Sequence, residues 1–138
     1  MVEADVIYVP SYDGALYALR RANGEVLWRF YAGGPRQVRI EGDRIYLPSS
    51  DGRIYALQKI NAKELWRFQL DDGVQTDLVL NDRLLLVGSS HQYFYAFDKA
   101  TGKAVDRFNA GFGSGFYGAP AYDAAKKRLY ALSARRNL

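Results

Sequence analysis

The sequence contains no cysteine, one histidine and one methionine. Without cysteine there are no disulfides, no cysteine-ligated zinc or iron–sulfur centre and no thiol nucleophile. The single His91 lacks the setting of a serine-hydrolase triad, because no Gly-x-Ser-x-Gly elbow occurs in the chain. These absences exclude several classes of enzyme, and a cysteine-free chain fits any cellular compartment.

Long apolar runs and helical periodicity are also missing. No stretch approaches the roughly 18 apolar residues of a membrane-spanning helix. The N-terminal MVEADVIYVP has neither the basic region nor the apolar core of a signal peptide. No segment of about ten residues places apolar side chains at helical spacing. We therefore expect no membrane span and no substantial helix.

The composition is that of a globular, strand-rich protein. Apolar residues make up 49% and charged residues 25%, which excludes a disordered chain. Aromatic residues reach 14%, and most of them are tyrosines, which favour strands. The net charge of +4 is spread along the chain instead of gathering in one stripe. We interpret it as a solvated surface and expect no nucleic-acid partner.

One stretch of sequence is repeated three times. Residues 5–30 read DVIYVPSYDGALYALRRANGEVLWRF, residues 43–68 read DRIYLPSSDGRIYALQKINAKELWRF, and residues 82–108 read DRLLLVGSSHQYFYAFDKATGKAVDRF. A fourth copy begins at Arg128 with RLYALS. A period of about 40 residues with strand-like composition predicts a β-propeller, in which each repeat supplies one four-stranded antiparallel blade.

Each copy divides into strands and turns. The predicted second strands are residues 6–10, 44–48 and 83–87, and the third strands are 15–19, 53–57 and 93–97. The outer strands are 25–30, 63–68 and 103–108, and the innermost strands are 37–41, 75–80 and 119–122. The chain is thus expected to begin at a second strand.

Two turns recur in each copy. Asp13-Gly14 and Asp51-Gly52 are the dipeptides that accept positive φ in a tight hairpin. The second turn falls at residues 23–24, 61–62 and 101–102. The third strands carry a small residue at a fixed position, which predicts close packing against a neighbouring sheet; these residues are Ala18, Ala56 and Ala96.

The predicted fold is all-β, a partial propeller of about three blades in a single domain, residues 1–138. The blade repeats are about 5–36, 37–74 and 75–118, with a partial repeat at 119–138. Complete propellers have typically about four to eight blades, and an open array exposes sheet edges and apolar blade faces. We expect either a homo-oligomer that completes the ring or a missing remainder of the propeller in a longer chain.

Residues 96–106 read AFDKATGKAVD, which resembles the Ala-x-Asp-x-x-Thr-Gly-Lys-x-x-Trp repeat of quinoprotein-like (PQQ-like) propellers. In that family the tryptophan docks one blade onto the next. Asp106 replaces it in this copy, whereas the other two copies keep it and lose the threonine. The resemblance and the fixed alanines together imply a structural blade-docking set, namely Ala18, Trp28, Ala56, Trp66, Ala96, Thr101 and Gly102.

The resemblance implies two branches of function. One branch comprises non-enzymatic lipoproteins that assist outer-membrane β-barrel assembly, and their closing repeats are similar to residues 94–132. It implies a protein-interaction scaffold in the periplasm or on the periplasmic face of the outer membrane, with no cofactor and no metal. The other branch comprises dehydrogenases that use pyrroloquinoline quinone and calcium, but their adjacent cysteines and their catalytic and calcium-binding motifs have no counterpart here. A fragment of such a dehydrogenase remains the alternative, as does the sensor or scaffold part of a larger protein.

Positions that differ between copies are the candidate functional residues. Arg39 and Asp77 fall at related positions on innermost strands, where they form either a structural ion pair between blades or a partner-docking site. Arg36, Gln37 and Gln75 come from the adjoining linkers and extend that docking site.

The third linker, residues 109–118, adds aromatic candidates for partner binding, Phe112, Phe116 and Tyr117. Packing over the next blade is the structural alternative for these side chains. The linker fits Gly-x-Gly-x-x-Gly, but no helix follows it, so we interpret it as a connection between blades and not as a dinucleotide site.

Overall fold

The structure is a computed structural model that describes residues 2–70, 73–74, 78–89, 93–109, 116–123 and 128–133. Every regular element among these residues is a β-strand. The chain forms two compact units, residues 1–67 and 68–138, and the boundary between them falls inside one strand. The predicted all-β propeller fold of about three antiparallel blades is confirmed.

The first unit contains two four-stranded sheets, each in sequence order. The first sheet consists of β1 (Val2–Glu3), β2 (Val6–Pro10), β3 (Ala15–Arg20) and β4 (Val26–Tyr31). The second consists of β5 (Arg39–Glu41), β6 (Arg44–Pro48), β7 (Arg53–Gln58) and β8 (Glu64–Gln69), and the last residues of β8 lie in the second unit. We call these sheets blade 1 and blade 2.

The second unit contains one four-stranded sheet and one hairpin. Blade 3 consists of β9 (Val79–Leu80), β10 (Leu84–Gly88), β11 (Tyr93–Asp98) and β12 (Ala104–Asn109). The hairpin pairs β13 (Phe116–Asp123) with β14 (Arg128–Ser133). A buried cluster in this unit groups Leu86, Phe94 and Ala96.

The second, third and outer strands lie where the repeats predict them, to within about one residue at each end. The innermost strands differ more. The chain does not begin at a second strand, because Val2–Glu3 already pairs with β2 as an innermost strand. In blade 2 the innermost strand starts at Arg39 and not at Gln37, since three residues suffice to pair with β6.

The third linker is also shorter than predicted. Phe116 and Tyr117 belong to β13 and not to a loop, because they pair with Ser133 and Leu132 of β14. Aromatic residues such as these two favour extended backbone. That preference outweighs the flexibility that the neighbouring glycines indicate.

The first hairpin turn uses its aspartate differently from the prediction. Only the glycines have positive φ there, 94° at Gly14 and 95° at Gly52. Asp13 instead accepts a hydrogen bond from the Ala15 amide (3.0 Å), and Asp51 accepts one from the Arg53 amide (3.1 Å). Each carboxylate therefore closes its own turn, as aspartates commonly do.

The second turn has the same geometry in all three copies despite its different residues. The residue after the turn donates its amide to a side-chain oxygen of Asn23, Asn61 or Thr101, at 3.0, 3.0 and 3.3 Å. The following position has positive φ each time: 74° at Gly24, 60° at Ala62 and 75° at Gly102. Ala62 thus adopts a backbone conformation that is strained for an L-residue by about 1–2 kcal/mol.

The core of the first unit lies between its two sheets. Blade 1 contributes Tyr8, Leu16 and Ala18, with Trp28 and Phe30 packed at the margin. Blade 2 packs against blade 1 with the sheet face opposite to the one that blade 1 uses. Its members in the cluster include Ile45, Leu47, Tyr55 and Leu57. Each of these four is at most 2% exposed. Burial of these apolar side chains is the main force that holds one blade to the next.

Candidate partner-binding surface

The connections of an up-and-down sheet alternate between its two ends. The β2–β3 turn, the β4–β5 linker and the β6–β7 turn therefore lie at one end of the first unit. We call this the linker end and define it by residues 11–14, 32–38 and 49–52. Surface loops on a rigid sheet are where propellers and other scaffolds commonly place binding residues.

Hydrogen bonds tie the linker to both neighbouring turns. Ala32 and Gly33 donate their amides to the Gly14 carbonyl at 2.9 and 3.0 Å, which joins the linker to blade 1. Ser50 donates its amide to the Gly34 carbonyl at 2.7 Å, and Arg36 donates its amide to Pro48 at 2.8 Å. The linker is thus held by blade 2 as well, and its backbone is fixed before any partner binds.

Ser49 strengthens this attachment from inside the protein. Its side chain is fully buried, and its hydroxyl donates to the Ala32 carbonyl at 2.7 Å. The same oxygen accepts a hydrogen bond from the Gly34 amide at 3.2 Å. A buried hydroxyl that satisfies two linker groups fixes the linker's position relative to the β6–β7 turn.

The linker end contains a groove of about 390 Å³. Its lining residues come from all three segments: Ser11, Tyr12, Gly33, Gly34, Pro35, Arg36 and Ser50. We call it the linker groove. A Cβ at Gly34 would lie 2.0 Å from the Ser50 hydroxyl oxygen, so that the serine side chain would have to move to admit it. Glycine at this position brings the linker backbone into contact with the turn and leaves the groove open above it.

Asp13 is held at the linker end by a tyrosine on the adjacent strand. The Tyr17 hydroxyl donates to the carboxylate, and this bond, with that from the Ala15 amide, lowers the pKa of Asp13. The same hydrogen bond raises the pKa of Tyr17. Both shifts favour the pair of an ionised carboxylate and a neutral phenol across the neutral pH range.

Positive charge at the linker end comes from arginines. Arg53 is 3.7 Å from the Asp51 carboxylate, so that the acid of the β6–β7 turn has a cation beside it. Arg36 is half-buried in the groove lining, and Arg39 is exposed at the start of β5. Of these arginines, Arg36 lines the groove together with the exposed ring of Tyr12.

The structure places two of the predicted partner-binding residues at the linker end, because Arg36 lines the groove and Gln37 is exposed in the linker. Arg39 is exposed on β5, directly after the linker, and pairs with Tyr46 of β6. Gln75, Asp77 and Phe112 lie outside the described residues, so the Arg39–Asp77 pairing stays a prediction. Phe116 and Tyr117 lie in β13, and their side chains are outside the described part of the chain.

Sequence reasoning missed Tyr12. Its side chain is fully exposed, with a relative accessibility of 113%, and it lines the groove. The signal was available, because the following copy has Ser50 at the corresponding position of an otherwise similar turn. A large aromatic ring that the fold does not require is a typical sign of a binding surface.

In the first unit, the residues predicted to dock blades lie in the strands of the two sheets, and none of them lines the groove. Trp28 donates its indole N–H to the Lys59 carbonyl of blade 2 at 3.0 Å, and its ring centroid is 5.9 Å from that of Tyr8. Ala18 is buried and pairs with Trp28 in the β3–β4 ladder. A small side chain beneath the indole leaves room for the neighbouring blade, which supports the predicted docking role.

The other two copies repeat parts of this arrangement. Ala56 and Ala96 are buried, and Trp66 lies 6.1 Å from Tyr46 between ring centroids. In the third copy Ala96 pairs with Asp106, which is exposed. Thr101 and Gly102 form the second turn, where Gly102 is buried. The docking role of these residues stays a prediction.

The described part of the chain contains neither a candidate metal centre nor a membrane-spanning helix. No cluster of three or more histidine, cysteine or carboxylate side chains suited to a metal ion occurs among those residues. None of those residues forms a helix of the length and hydrophobicity needed to cross a bilayer.

Comparison with known proteins places the chain among quinoprotein-like propellers. A family model described as outer membrane protein assembly factor BamB matches residues 12–111, which is more than half of the chain. None of the curated proteins compared with the chain matches it.

Solved structures with the same fold include natural and designed proteins. BamB from Moraxella catarrhalis is 23% identical with a TM-score of 0.77, and the match covers 94% of this chain and 40% of that one. Quinohemoprotein alcohol dehydrogenase ADHIIG from Pseudomonas putida HK5 is 18% identical with a TM-score of 0.78, and the match covers 95% and 27%. The computationally designed Ika4 protein is 11% identical with a TM-score of 0.76, and the match covers 97% and 88%.

These structural likenesses establish the fold alone, since each is below 25% identity. The chain spans less than half the length of the two natural proteins. BamB and an alcohol dehydrogenase share the fold, so the fold by itself does not decide between scaffold and enzyme.

Proposed function

Because this chain belongs to the outer membrane protein assembly factor BamB family, we propose that it is a non-enzymatic interaction scaffold. Its role is to assist the assembly of outer-membrane β-barrel proteins, at the periplasmic face of the outer membrane. The observation that carries the proposal is the family match over residues 12–111, which covers blades 2 and 3 and strands β3 and β4 of blade 1. No cofactor is part of this role.

The geometry of the linker end supports this proposal. Its backbone is held by hydrogen bonds to two blades, it presents Tyr12 and Arg36, and Arg39 follows directly on β5. Tyrosine and arginine are enriched among the residues that dominate binding energy at protein interfaces. A surface that is already ordered loses little conformational entropy when a partner binds.

A charge reversal at Arg39 tests the proposal. The full-length protein that contains this chain is titrated calorimetrically with the purified periplasmic part of a β-barrel assembly component from the same organism. We expect the Arg39→Glu substitution to weaken binding by about tenfold, because an exposed cation is replaced by an anion at the contact. Lys63→Glu is the matched control, since Lys63 is exposed at the opposite end of blade 2.

Stability is measured for both variants. A partner that binds wild type and the Arg39→Glu variant equally well, while the variant is less stable, would show that Arg39 has a structural role between blades. An absence of binding by the wild-type protein would contradict the scaffold function itself.

The alternative function is part of a quinone-dependent dehydrogenase, which the likeness to the quinohemoprotein alcohol dehydrogenase favours. Titration of the full-length protein with pyrroloquinoline quinone and Ca²⁺ separates the two. A stoichiometric absorbance change with tight binding would support the dehydrogenase, whereas the scaffold proposal predicts no saturable change.

A further inference from the structure

The outer strand of blade 1 has one side that no strand in the described part of the chain covers. This strand is β4, and the sheet order β1-β2-β3-β4 leaves β3 as the strand with which it pairs. We call its other side the β4 edge and define it by Val26–Tyr31. An edge strand presents a row of main-chain donors and acceptors with which another extended chain can pair.

A hydrogen bond at the end of β4 shows which of its main-chain groups point outward. The Ala32 amide donates to the Gly14 carbonyl at 2.9 Å, so residue 32 faces blade 1. Because the direction of pairing alternates along an antiparallel strand, the amides and carbonyls of Arg29 and Tyr31 point away from β3. The bulge in the β3–β4 ladder lies nearer the start of β4, so this part of the edge is regular.

The repeat shows that β4 carries fewer charges than the other two outer strands. In β8, Glu64 and Arg67 form an ion pair at 2.7 Å. In β12, Asp106 and Arg107 are adjacent. Charged side chains on an edge strand are a common means by which proteins prevent pairing with another chain. The one charged residue of β4 is Arg29, and a valine takes the place of the glutamate of β8.

Apolar side chains lie exposed along the β4 edge. Val26 is 52% exposed and Tyr31 is 69% exposed, whereas blade 2 has Glu64 and Gln69 at the corresponding positions. The blade fold therefore requires neither apolar side chain. A strand added at this edge would cover part of both, and the burial of apolar surface and the cross-strand contacts favour its binding.

We propose that the β4 edge binds an extended peptide segment as an additional strand of blade 1. The main chain of the segment pairs with Arg29 and Tyr31, and its apolar side chains, at alternate positions, cover Val26 and Tyr31. A second copy of the chain is disfavoured here, because pairing about Arg29 would place two cations opposite each other. The inference rests on the proposed scaffold function and specifies a strand-forming segment as the partner.

Fluorescence anisotropy with the full-length protein and two labelled peptides tests the proposal. The first peptide has about ten residues that alternate threonine with valine and tyrosine, with a lysine at each end for solubility. The second has the same side chains, but its central amides are N-methylated and cannot donate hydrogen bonds. We expect the first peptide to bind at least about tenfold more tightly, because strand addition depends on main-chain hydrogen bonds.

Substitutions taken from the repeat locate the site. The double variant Val26→Glu with Tyr31→Gln gives β4 the residues that blade 2 has at these positions, so we expect the blade to fold. Binding of the first peptide should weaken by about tenfold, because an edge charge is introduced and an exposed ring is removed. Val105→Glu is the matched control, since this valine is similarly exposed on β12, and it should bind like wild type.

Amide hydrogen exchange, followed by NMR, tests the main-chain pairing itself. In the free protein we expect rapid exchange at Arg29 and Tyr31, because their amides point to solvent. Saturation with the first peptide should slow exchange at both residues by at least about tenfold. Arg67, at the position of β8 that corresponds to Arg29, is the internal reference and should be unchanged.

Three results would overturn the inference: equal affinity for the two peptides, equal losses in the double variant and Val105→Glu, or unchanged exchange at Arg29 and Tyr31. Slower exchange at these amides with rising protein concentration alone would assign the edge to a second copy and overturn it as well. Failure of the first peptide to bind a protein that still binds its assembly partner contradicts this inference alone. Failure of the assembly partner to bind contradicts the scaffold function, and binding of the first peptide would then still support the β4 edge as a site.

Discussion

At the scale of single residues, the buried hydroxyl of Ser49 is the most sharply defined contact at the linker end. Ser49→Ala removes a donor to Ala32 and an acceptor for Gly34, and leaves both groups unsatisfied inside the protein. We expect a loss of about 2–3 kcal/mol in the free energy of unfolding, measured by urea denaturation. Ser11→Ala is the matched control in blade 1, where the serine is only half-buried, and we expect a loss below about 1 kcal/mol there. Equal losses would contradict the assigned role of Ser49.

The pair of Tyr17 and Asp13 gives a prediction for pH. Tyr17→Phe removes the hydrogen bond that lowers the pKa of Asp13, so that this pKa is expected to rise toward its usual value. A lowered folded-state pKa gives stability that is present above the unfolded pKa of about 3.9 and is lost as pH falls through the folded value. The variant should therefore lose less stability on acidification below about pH 4.

An NMR titration of the Asp13 side-chain carboxyl carbon measures this directly. Tyr12→Phe is the control, because it changes a neighbouring exposed phenol. An Asp13 pKa that is the same in wild type and Tyr17→Phe would contradict the assigned hydrogen bond.

At the scale of structural elements, the outer strand β4 joins blade 1 to blade 2 through Trp28. Trp28→Phe keeps an aromatic ring but removes the indole donor to Lys59 and part of the packed surface. We expect a loss of about 1–3 kcal/mol in the free energy of unfolding. Val26→Thr, at an exposed position of the same strand, should cost less than about 0.5 kcal/mol. Chemical denaturation of both variants gives the comparison, and similar losses would remove the docking role of Trp28.

The strands that repetition marks were the most predictable elements. Residues 6–10 and 44–48 were predicted as they occur, because both are short apolar runs followed by the same turn. The innermost strands were not. In blade 2 the innermost strand pairs over Arg39–Glu41. Three residues carry too little alternation of apolar and polar side chains to show where pairing starts.

The candidate site was predicted in part. Arg36 and Gln37 were chosen because they lie in the linker, and Arg39 was chosen because its position differs between copies; their binding role stays a prediction. Tyr12 was missed, because an exposed side chain in a turn has no periodicity, and its importance depends on the linker that packs beside it. Likewise the extra hydrogen bonds of Ser49 come from residues distant in sequence, which no local pattern reveals.

At the scale of the whole molecule, one face of blade 1 differs from its counterpart in blade 2. Ile45, Leu47, Tyr55 and Leu57 are buried against blade 1, whereas the corresponding Ile7, Val9, Tyr17 and Leu19 are half-buried or exposed. Val9 is 37% exposed. An apolar face of this kind favours association. We therefore predict that the polypeptide of this sequence self-associates as its concentration rises.

Light scattering coupled to size-exclusion chromatography measures the mass. Val9→Lys should shift the population toward monomer, because a charge at the face must be desolvated on association. Val9→Thr is the control, because it introduces a polar side chain without a charge at the same position. A monomeric mass at every concentration for wild type would contradict the prediction.

The second turn has a consequence for how such proteins diverge. In each copy, Asn23, Asn61 or Thr101 provides a side-chain oxygen that accepts a hydrogen bond from the amide two residues later. The glycine or alanine between the two has positive φ each time. What is retained across the copies is an acceptor atom at a fixed place in space, and more than one amino acid supplies it. Substitutions can therefore accumulate at this position without a change in the structure of the blade. A residue-by-residue alignment of the repeats then underestimates how similar their structures are. The third copy differs most from the others in sequence, yet its second turn retains the same structure.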